Sequence, residues 1–210
     1  MALLLVLGLI RSFRKRFSIN EYFVIIPLLV YFLVALRSNL QIGIRHLIPI
    51  YPLCFMISAR SIEFFKYKLY KVIIIASCTW LVLGTLIIWP NFLSYFNEIA
   101  GGPDQGWRYL RDSNIDWGQD LPSLSKYLKG NGINEVTLKY FGEDSPKEYG
   151  INAISFAESE YVEPKDKLYA ISVQYLDSVK WTKDYIPDAK AGYSIFIYDF
   201  RGKVEGRGFK

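Results

Sequence analysis

Histidine and cysteine are nearly missing from this chain, which has one histidine and two cysteines in 210 residues. His46, Cys54 and Cys78 all fall inside apolar segments. A zinc centre needs several such ligands together, and a hydrolase triad needs a histidine beside its nucleophile. Residues 90–210 hold no histidine and no cysteine, so they offer neither arrangement and no disulfide framework. No Gly-rich phosphate loop follows a strand, which argues against a soluble nucleotide-sugar fold. Acidic residues are scarce at the start: in residues 1–89 only Glu21 and Glu63 stand against ten Lys and Arg, a balance of +8. Residues 90–210 hold fifteen Lys and Arg against eighteen Asp and Glu, a balance of −3. The net +5 is therefore the sum of two unlike halves. Because the basic excess lies between apolar runs, and no basic stripe is interleaved with aromatics, nucleic-acid binding is not expected. There is no internal repeat and no low-complexity stretch.

What is abundant is uncharged apolar sequence. Residues 72–89 form an 18-residue run without a charge, enough to cross a hydrocarbon core of about 30 Å. Residues 22–36 and 46–59 give uncharged runs of 15 and 14, which flanking Lys, Arg and Tyr can extend by snorkelling. Residues 1–10 are apolar, but their positive charges follow them, whereas a signal peptide carries its charge first. They read as the tail of a span whose beginning is missing. The expected architecture is an α-helical polytopic membrane region over 1–89, with about four transmembrane segments, the first truncated. The loops at 11–20 and 60–71 are the richest in Lys and Arg, so the positive-inside rule makes them cytoplasmic. The loop at 37–45 and everything after Trp89 then lie outside the cytoplasm, and the plasma membrane is the expected location.

The third segment is unusual. Arg45 and His46 sit at its outer end, and Pro49 and Pro52 follow within seven residues. Proline removes backbone donors, and membrane helices tolerate this mostly where protein or a cavity re-satisfies the backbone. At that depth Arg45 and His46 either bind a headgroup-level phosphate or anchor the helix end at the interface.

Residues 90–210 read as a small α/β domain. Trp89, Phe92, Tyr95 and Phe96 suit an aromatic belt, and the 97–103 segment N-E-I-A-G-G-P is strong turn chemistry. Asp120-Leu121-Pro122 opens a helix that Gly130 closes, with Asp120 as its cap. Strands are expected over 136–141, 168–173 and 193–198, and a short helix over 176–185. The tail from Gly202 to Lys210 reads as frayed.

The polar concentration D-S-N-I-D-W-G-Q-D at 112–120 admits several readings. Asp112, Asn114 and Asp116 reproduce the start of a calcium loop, with Asp120 at its ninth position. The pattern then breaks, because Trp117 occupies the glycine position and Ser123 the place of the final glutamate. A looser divalent-cation site is a second reading, although no cofactor is required. In a third, Asp112, Asn114 and Asp116 form Asx-turns while Asp120 caps the helix. In a fourth, Trp117 stacks on a sugar face while the carboxylates accept its hydroxyls.

Taken together, R-H-L-I-P-I-Y-P at 45–52, L-S-Y-F-N-E-I-A-G-G-P at 93–103, D-S-N-I-D-W-G-Q-D and G-Y-S-I-F-I-Y at 192–198 resemble the C-terminal portion of bacterial family 39-like membrane glycosyltransferases. These are GT-C fold enzymes related to protein O-mannosyltransferases and aminoarabinose transferases. The resemblance covers most of the chain from about residue 20. It implies transfer of a sugar from a polyprenyl-phosphate donor to a glycan, lipid or protein acceptor in the cell envelope. The family's usual catalytic carboxylate lies in a first exterior loop that has no counterpart here, so the chain is expected to be inactive by itself or part of a longer protein. The resemblance implies Arg45, and secondarily His46, for the donor phosphate, with Asp112, Asp116, Trp117 and Asp120 on the acceptor side. The competing expectation is a non-catalytic, membrane-anchored glycan-binding or envelope-complex module.

Overall fold

The computed structural model describes residues 2–15, 18–39, 43–111 and 114–202. They form two compact units, Met1–Trp89 and Pro90–Lys210.

The first unit is helical. It contains α1 (Ala2–Lys15), α2 (Ile19–Arg37), a 3-10 segment (Gly43–Ile50), α3 (Tyr51–Ala59), a 3-10 turn (Arg60–Phe64) and α4 (Lys68–Ile88). Among the described residues, three stretches are long and apolar enough to cross a membrane: Ile19–Arg37, Arg45–Phe64 and Lys68–Ile88. At 14 residues, α1 is shorter than a span. α2 buries no residue within the unit and is apolar on every side over most of its length, so its apolar surface is left uncovered by the unit. The third stretch is longer than its 14-residue uncharged run because it takes in Arg45 and the 3-10 turn Arg60–Phe64, where Arg60 Nε lies 2.9 Å from Glu63 Oε1. Before Pro49 and Pro52 the backbone winds as 3-10 rather than α, and α3 begins with Pro52 in its first turn. α1 packs on α3 so closely at Gly8 that a Cβ there would lie 2.0 Å from the Ile57 carbonyl oxygen. Only a residue without a side chain permits that approach.

The second unit is a five-stranded mixed sheet with one helix. α5 spans Leu121–Gly130, and the strands are β1 (Val136–Lys139), β2 (Ala153–Ile154), β3 (Leu168–Ser172), β4 (Ala189–Ala191) and β5 (Ile195–Asp199). The spatial order is β2-β1-β3-β5-β4. β1 runs parallel to both β2 and β3, while β5 is antiparallel to β3 and β4. Strand alternation sorts the two faces. Leu168, Ala170, Ile195 and Ile197 point to the aliphatic face, where Leu121, Leu124 and Leu128 of α5 cover them. Tyr169, Ile171, Phe196 and Tyr198 point to the other face, where Val173, Val179, Trp181 and Phe200 pack against them. On that face the Trp181 ring meets Tyr169, Tyr198 and Phe200 edge-on at 5.1–5.3 Å, the geometry favoured by aromatic quadrupoles.

The helix expected over 176–185 does not form. Two 3-10 turns, Val173–Tyr175 and Lys180–Lys183, flank an irregular link instead. Hydroxyls take the carbonyls that a helix would use: Thr182 Oγ1 donates to Leu176 O and Val179 O at 2.7 and 2.8 Å, and Ser178 Oγ to Tyr175 O at 2.7 Å. Short strands β2 and β4, not expected from the sequence, complete the sheet edges. From the C-terminal tail only Gly202 lies within the described residues.

Glu160, fully buried, ties the aromatic face together. Its carboxylate accepts from Lys167 Nζ (2.7 Å), Ala157 N–H (2.8 Å) and the Tyr169 hydroxyl (3.2 Å), while its carbonyl accepts from Trp181 Nε1 (2.7 Å). Burial pushes its pKa up, but the Lys167 and Ala157 hydrogen bonds outweigh that push and hold it below the ordinary value. Its stabilising contribution is present above about pH 4.3 and is lost as pH falls through the depressed folded pKa.

Candidate functional site

Residues 114–120, the described part of the polar segment, fold into a joint rather than an open site. Ile115 is buried, and Asp116 and Asp120 are 1% and 0% exposed. The Asp116 carboxylate accepts through Oδ1 from Gly118 N–H (2.9 Å) and Ser194 Oγ (3.1 Å), and through Oδ2 from Ser172 Oγ. The Gly118 bond is the expected Asx-turn, completed by a φ of 83° that glycine adopts without strain. Gln119 clamps the turn from both sides: its Oε1 accepts from Trp117 N–H and its Nε2 donates to Ile115 O, each at 2.7 Å.

Asp120 does not cap α5. Its Oδ2 instead accepts the backbone N–H groups of Tyr193 (2.9 Å) and Ser194 (2.8 Å), across to the turn before β5. The reason is local. A cap accepts from the second or third helical N–H, and the second position is Pro122, which has none. With one of its two usual targets missing, the carboxylate turns to the N–H pair of the 192–194 turn. Ser94 Oγ reaches the same joint, 3.4 Å from Ile115 O.

Three of the motif stretches picked out in the sequence (93–103, 112–120 and 192–198) thus converge on one structural node. The calcium-loop reading does not fit it, since Asp116 offers its oxygens to N–H and O–H donors. Among the described residues no group of three or more His, Cys, Asp or Glu is placed to hold a metal. Asp112 lies outside the described residues. Trp117 is the solvent-facing member, 50% exposed and edge-on to Phe141 at 6.0 Å.

Burial raises the Asp116 pKa above the ordinary carboxylate value, opposed by the Ser172, Gly118 and Ser194 hydrogen bonds, with the Asp120 charge adding a smaller push upward. A raised folded pKa means that the native state keeps its proton longer than the unfolded chain does. The group's favourable contribution is therefore present below about pH 3.9 and is lost as pH rises through the folded value. Asp116→Asn, which cannot ionise, is expected to remove that loss. Its melting temperature relative to wild type should climb from about pH 4 toward neutrality. A difference that stays flat with pH in thermal unfolding of the full chain would show that burial does not penalise this carboxylate.

In the helical unit, Arg45 is exposed and His46 half-buried on the 3-10 segment that opens the Arg45–Phe64 stretch. Tyr31 of α2 donates its hydroxyl to His46 O at 3.1 Å, and the two rings lie 6.4 Å apart. The His46 Nδ1 atom is buried and has no hydrogen-bond partner among the described residues.

One concavity of the sheet unit, formed on its aromatic face, was not read from the sequence. It is a pocket of about 450 Å³ on the aromatic face, floored by Phe196 and Tyr198 and walled by Trp107, Arg111, Lys183 and Ile186. That volume lies within the range of about 300–1,000 Å³ common to small-molecule sites. Trp107 meets Phe196 edge-on at 5.2 Å and carries the guanidinium groups of Arg108 and Arg111 at 5.5 and 5.4 Å. Arg111 is pinned by Trp107 O (3.1 Å) and Asp177 (2.5 Å), and Lys190 sits 5.0 Å from the Phe196 ring. The only sequence signal for it was W-R-x-x-R at 107–111; its other cations lie more than seventy residues away. Comparison with protein-family models, with characterised proteins and with solved structures gives no match.

Proposed function

We propose that this chain is the C-terminal part of an integral-membrane glycosyltransferase, moving a sugar from a polyprenyl-phosphate donor to an acceptor outside the cytoplasm. One observation carries the reading. At the head of a stretch long and apolar enough to cross a membrane, exposed Arg45 adjoins His46, whose buried Nδ1 has no partner among the described residues. Lipid-phosphate recognition at an interface calls for a guanidinium fork and a second polar contact beside an apolar wall. Tyr31 steadies that turn through the His46 carbonyl. Trp117 serves the acceptor side, as the exposed ring of its loop. Asp116 and Asp120 hold the joint beneath it, so the base that such a transfer needs comes from elsewhere in the working enzyme.

Arg45→Ala is expected to weaken binding of polyprenyl phosphate to the detergent-solubilised chain by about 10–100-fold, the worth of one charge-assisted contact. Its melting temperature should be unchanged. Equal affinity of variant and wild type would remove Arg45 from the donor site. The second reading, a non-catalytic glycan-binding or envelope-complex module, is favoured by the aromatic-face pocket. A chain that binds glycan but shows no response to polyprenyl phosphate would support it.

A further inference from the structure

We infer that the pocket on the aromatic face of the sheet is a binding site for an anionic saccharide unit, a sugar bearing a carboxylate or a phosphate. The inference rests on the pocket alone and holds whether or not the chain transfers sugar.

Charge comes first. Among the described residues, Arg108, Arg111, Lys183 and Lys190 line the pocket, with Asp177 as the one lining carboxylate. Asp177 is held by Arg111 at 2.5 Å and lies 4.0 Å from Lys183, and Asp104 sits 3.5 Å from Lys190. Even with both carboxylates counted, four cations face two acids in a unit whose overall balance is negative. Tyr198 adds no opposing charge, because burial drives its hydroxyl pKa far above the working range. A local positive excess in an otherwise acidic unit concentrates anions at that spot.

The cations are also arranged. Arg111 is fixed by two protein acceptors and, with Arg108, packs on the Trp107 ring. With its Nε and one terminal nitrogen committed to Trp107 O and Asp177, the Arg111 guanidinium presents its remaining N–H groups in a fixed direction to an oxygen of a carboxylate or phosphate.

The rest of the lining points to the body of the ligand. The Gln105 side-chain oxygen is buried and has no hydrogen-bond partner among the described residues. Such an acceptor is costly unless a donor arrives, and a sugar hydroxyl is a donor of the right kind. Leu176, Ile186, Pro187 and Tyr185 supply the apolar and aromatic wall against which a C–H face can rest. A nucleobase fits less well, because the Trp107 ring is already engaged by Arg108 and Arg111.

The test is calorimetric titration of the detergent-solubilised full chain with glucuronate, glucose 6-phosphate, glucose and inorganic phosphate. At least one of the two anionic sugars should bind saturably, with glucose and inorganic phosphate each at least about tenfold weaker. The variant R108E/K183E reverses two exposed charges and should lose at least about tenfold in affinity for the anionic sugar with an unchanged melting temperature. Raising the salt concentration should weaken wild-type binding in the same direction, an arm that needs no variant. The proposal is overturned if neither anionic sugar binds, or if glucose or inorganic phosphate binds as well as they do. Full affinity in R108E/K183E, or indifference to salt, would also overturn it. Polyprenyl-phosphate binding sensitive to Arg45 is a separate measurement, so failure of either proposal leaves the other standing.

Discussion

Replacing Asp120 with alanine is expected to lower the melting temperature of the sheet unit by about 10–20 °C, the equivalent of about 3–5 kcal/mol. The size follows from what the carboxylate holds. Its Oδ2 accepts two backbone N–H groups, from part-buried Tyr193 and buried Ser194, at 2.9 and 2.8 Å, and Asp120 itself has no solvent access. Removing the acceptor leaves the buried Ser194 N–H unsatisfied, at about 1–3 kcal/mol, and the part-buried Tyr193 N–H at the lower end of the same range. It also opens a hole under the 192–194 turn. Asp120→Asn keeps one acceptor oxygen and should lose much less. Thermal unfolding of the full chain, followed by near-UV circular dichroism, reads this directly. A fall of only a degree or two would mean that the turn before β5 is held by something else.

The partner residue gives the same interaction a second check. Gly192 has φ 60°, and a Cβ there would lie 2.1 Å from Asp120 Cγ. Gly192→Ala should therefore cost about 1–2 kcal/mol for the left-handed backbone and about 1–3 kcal/mol for the clash. In the double variant with Asp120→Ala the clash disappears while the backbone cost remains. The double should be less destabilised than the sum of the singles by about 1–3 kcal/mol. Strict additivity would show that the two positions do not touch.

Which parts of this were legible beforehand depends on the range of the interaction involved. α5 was marked by purely local signals, Pro122 in its first turn and Gly130 at its end, and it forms over Leu121–Gly130. β1, β3 and β5 were marked by aromatic and β-branched residues and form within or close to the expected stretches, although β1 stops at Lys139, short of Tyr140 and Phe141, and β5 begins at Ile195 rather than Tyr193. β2 and β4 are two and three residues long, too short to carry a periodic signal, and exist because a neighbouring strand offers them hydrogen bonds. The 176–185 stretch failed as a helix for a reason written in the sequence: Ser178 and Thr182 have hydroxyls within reach of the carbonyls a helix requires.

The candidate site was legible as a set of positions but not as a set of roles. Asp116 and Asp120 stood out because carboxylates near turns do chemistry or capping. What they do depends on Ser172, Ser194 and the Tyr193 N–H, all more than fifty residues away. Pro122 was the one local hint that Asp120 would look elsewhere for donors. The pocket was invisible because Arg108 and Arg111 meet Lys183 and Lys190 only once the sheet exists. Chemistry carried by one segment can be read in advance, and chemistry assembled from several cannot.

The acids of the first 89 residues make the same point with a larger consequence. Only Glu21 and Glu63 occur there, and the structure engages both in one chain of charges. Arg60 Nη1 lies 2.5 Å from Glu21 Oε1, Arg60 Nε 2.9 Å from Glu63 Oε1, and Arg11 Nη2 2.5 Å from Glu63 Oε2. Ser12 Oγ and the Ser18 N–H complete Glu21 at 2.6 and 2.7 Å. The network joins the ends of α1 and α2 to the turn after α3, so it bears on packing as well as on charge. Arg60→Leu would strand Glu21 with two neutral donors at a site where its side chain is 13% exposed. Breaking a fully buried pair from one side costs about 3–5 kcal/mol, because the remaining charge keeps its desolvation penalty and loses its partner, and the 31% exposure of Arg60 makes that range an upper bound here. Replacing both members removes the penalty along with the attraction. Glu21→Leu combined with Arg60→Leu should therefore recover most of the loss, since Glu63 keeps Arg11. Thermal unfolding of the detergent-solubilised chain should rank wild type and the double variant close together and Arg60→Leu well below both. If the double variant is no better than the single, the stranded-charge argument fails and Arg60 acts through packing. If Arg60→Leu is as stable as wild type, the network contributes nothing to holding these helices together.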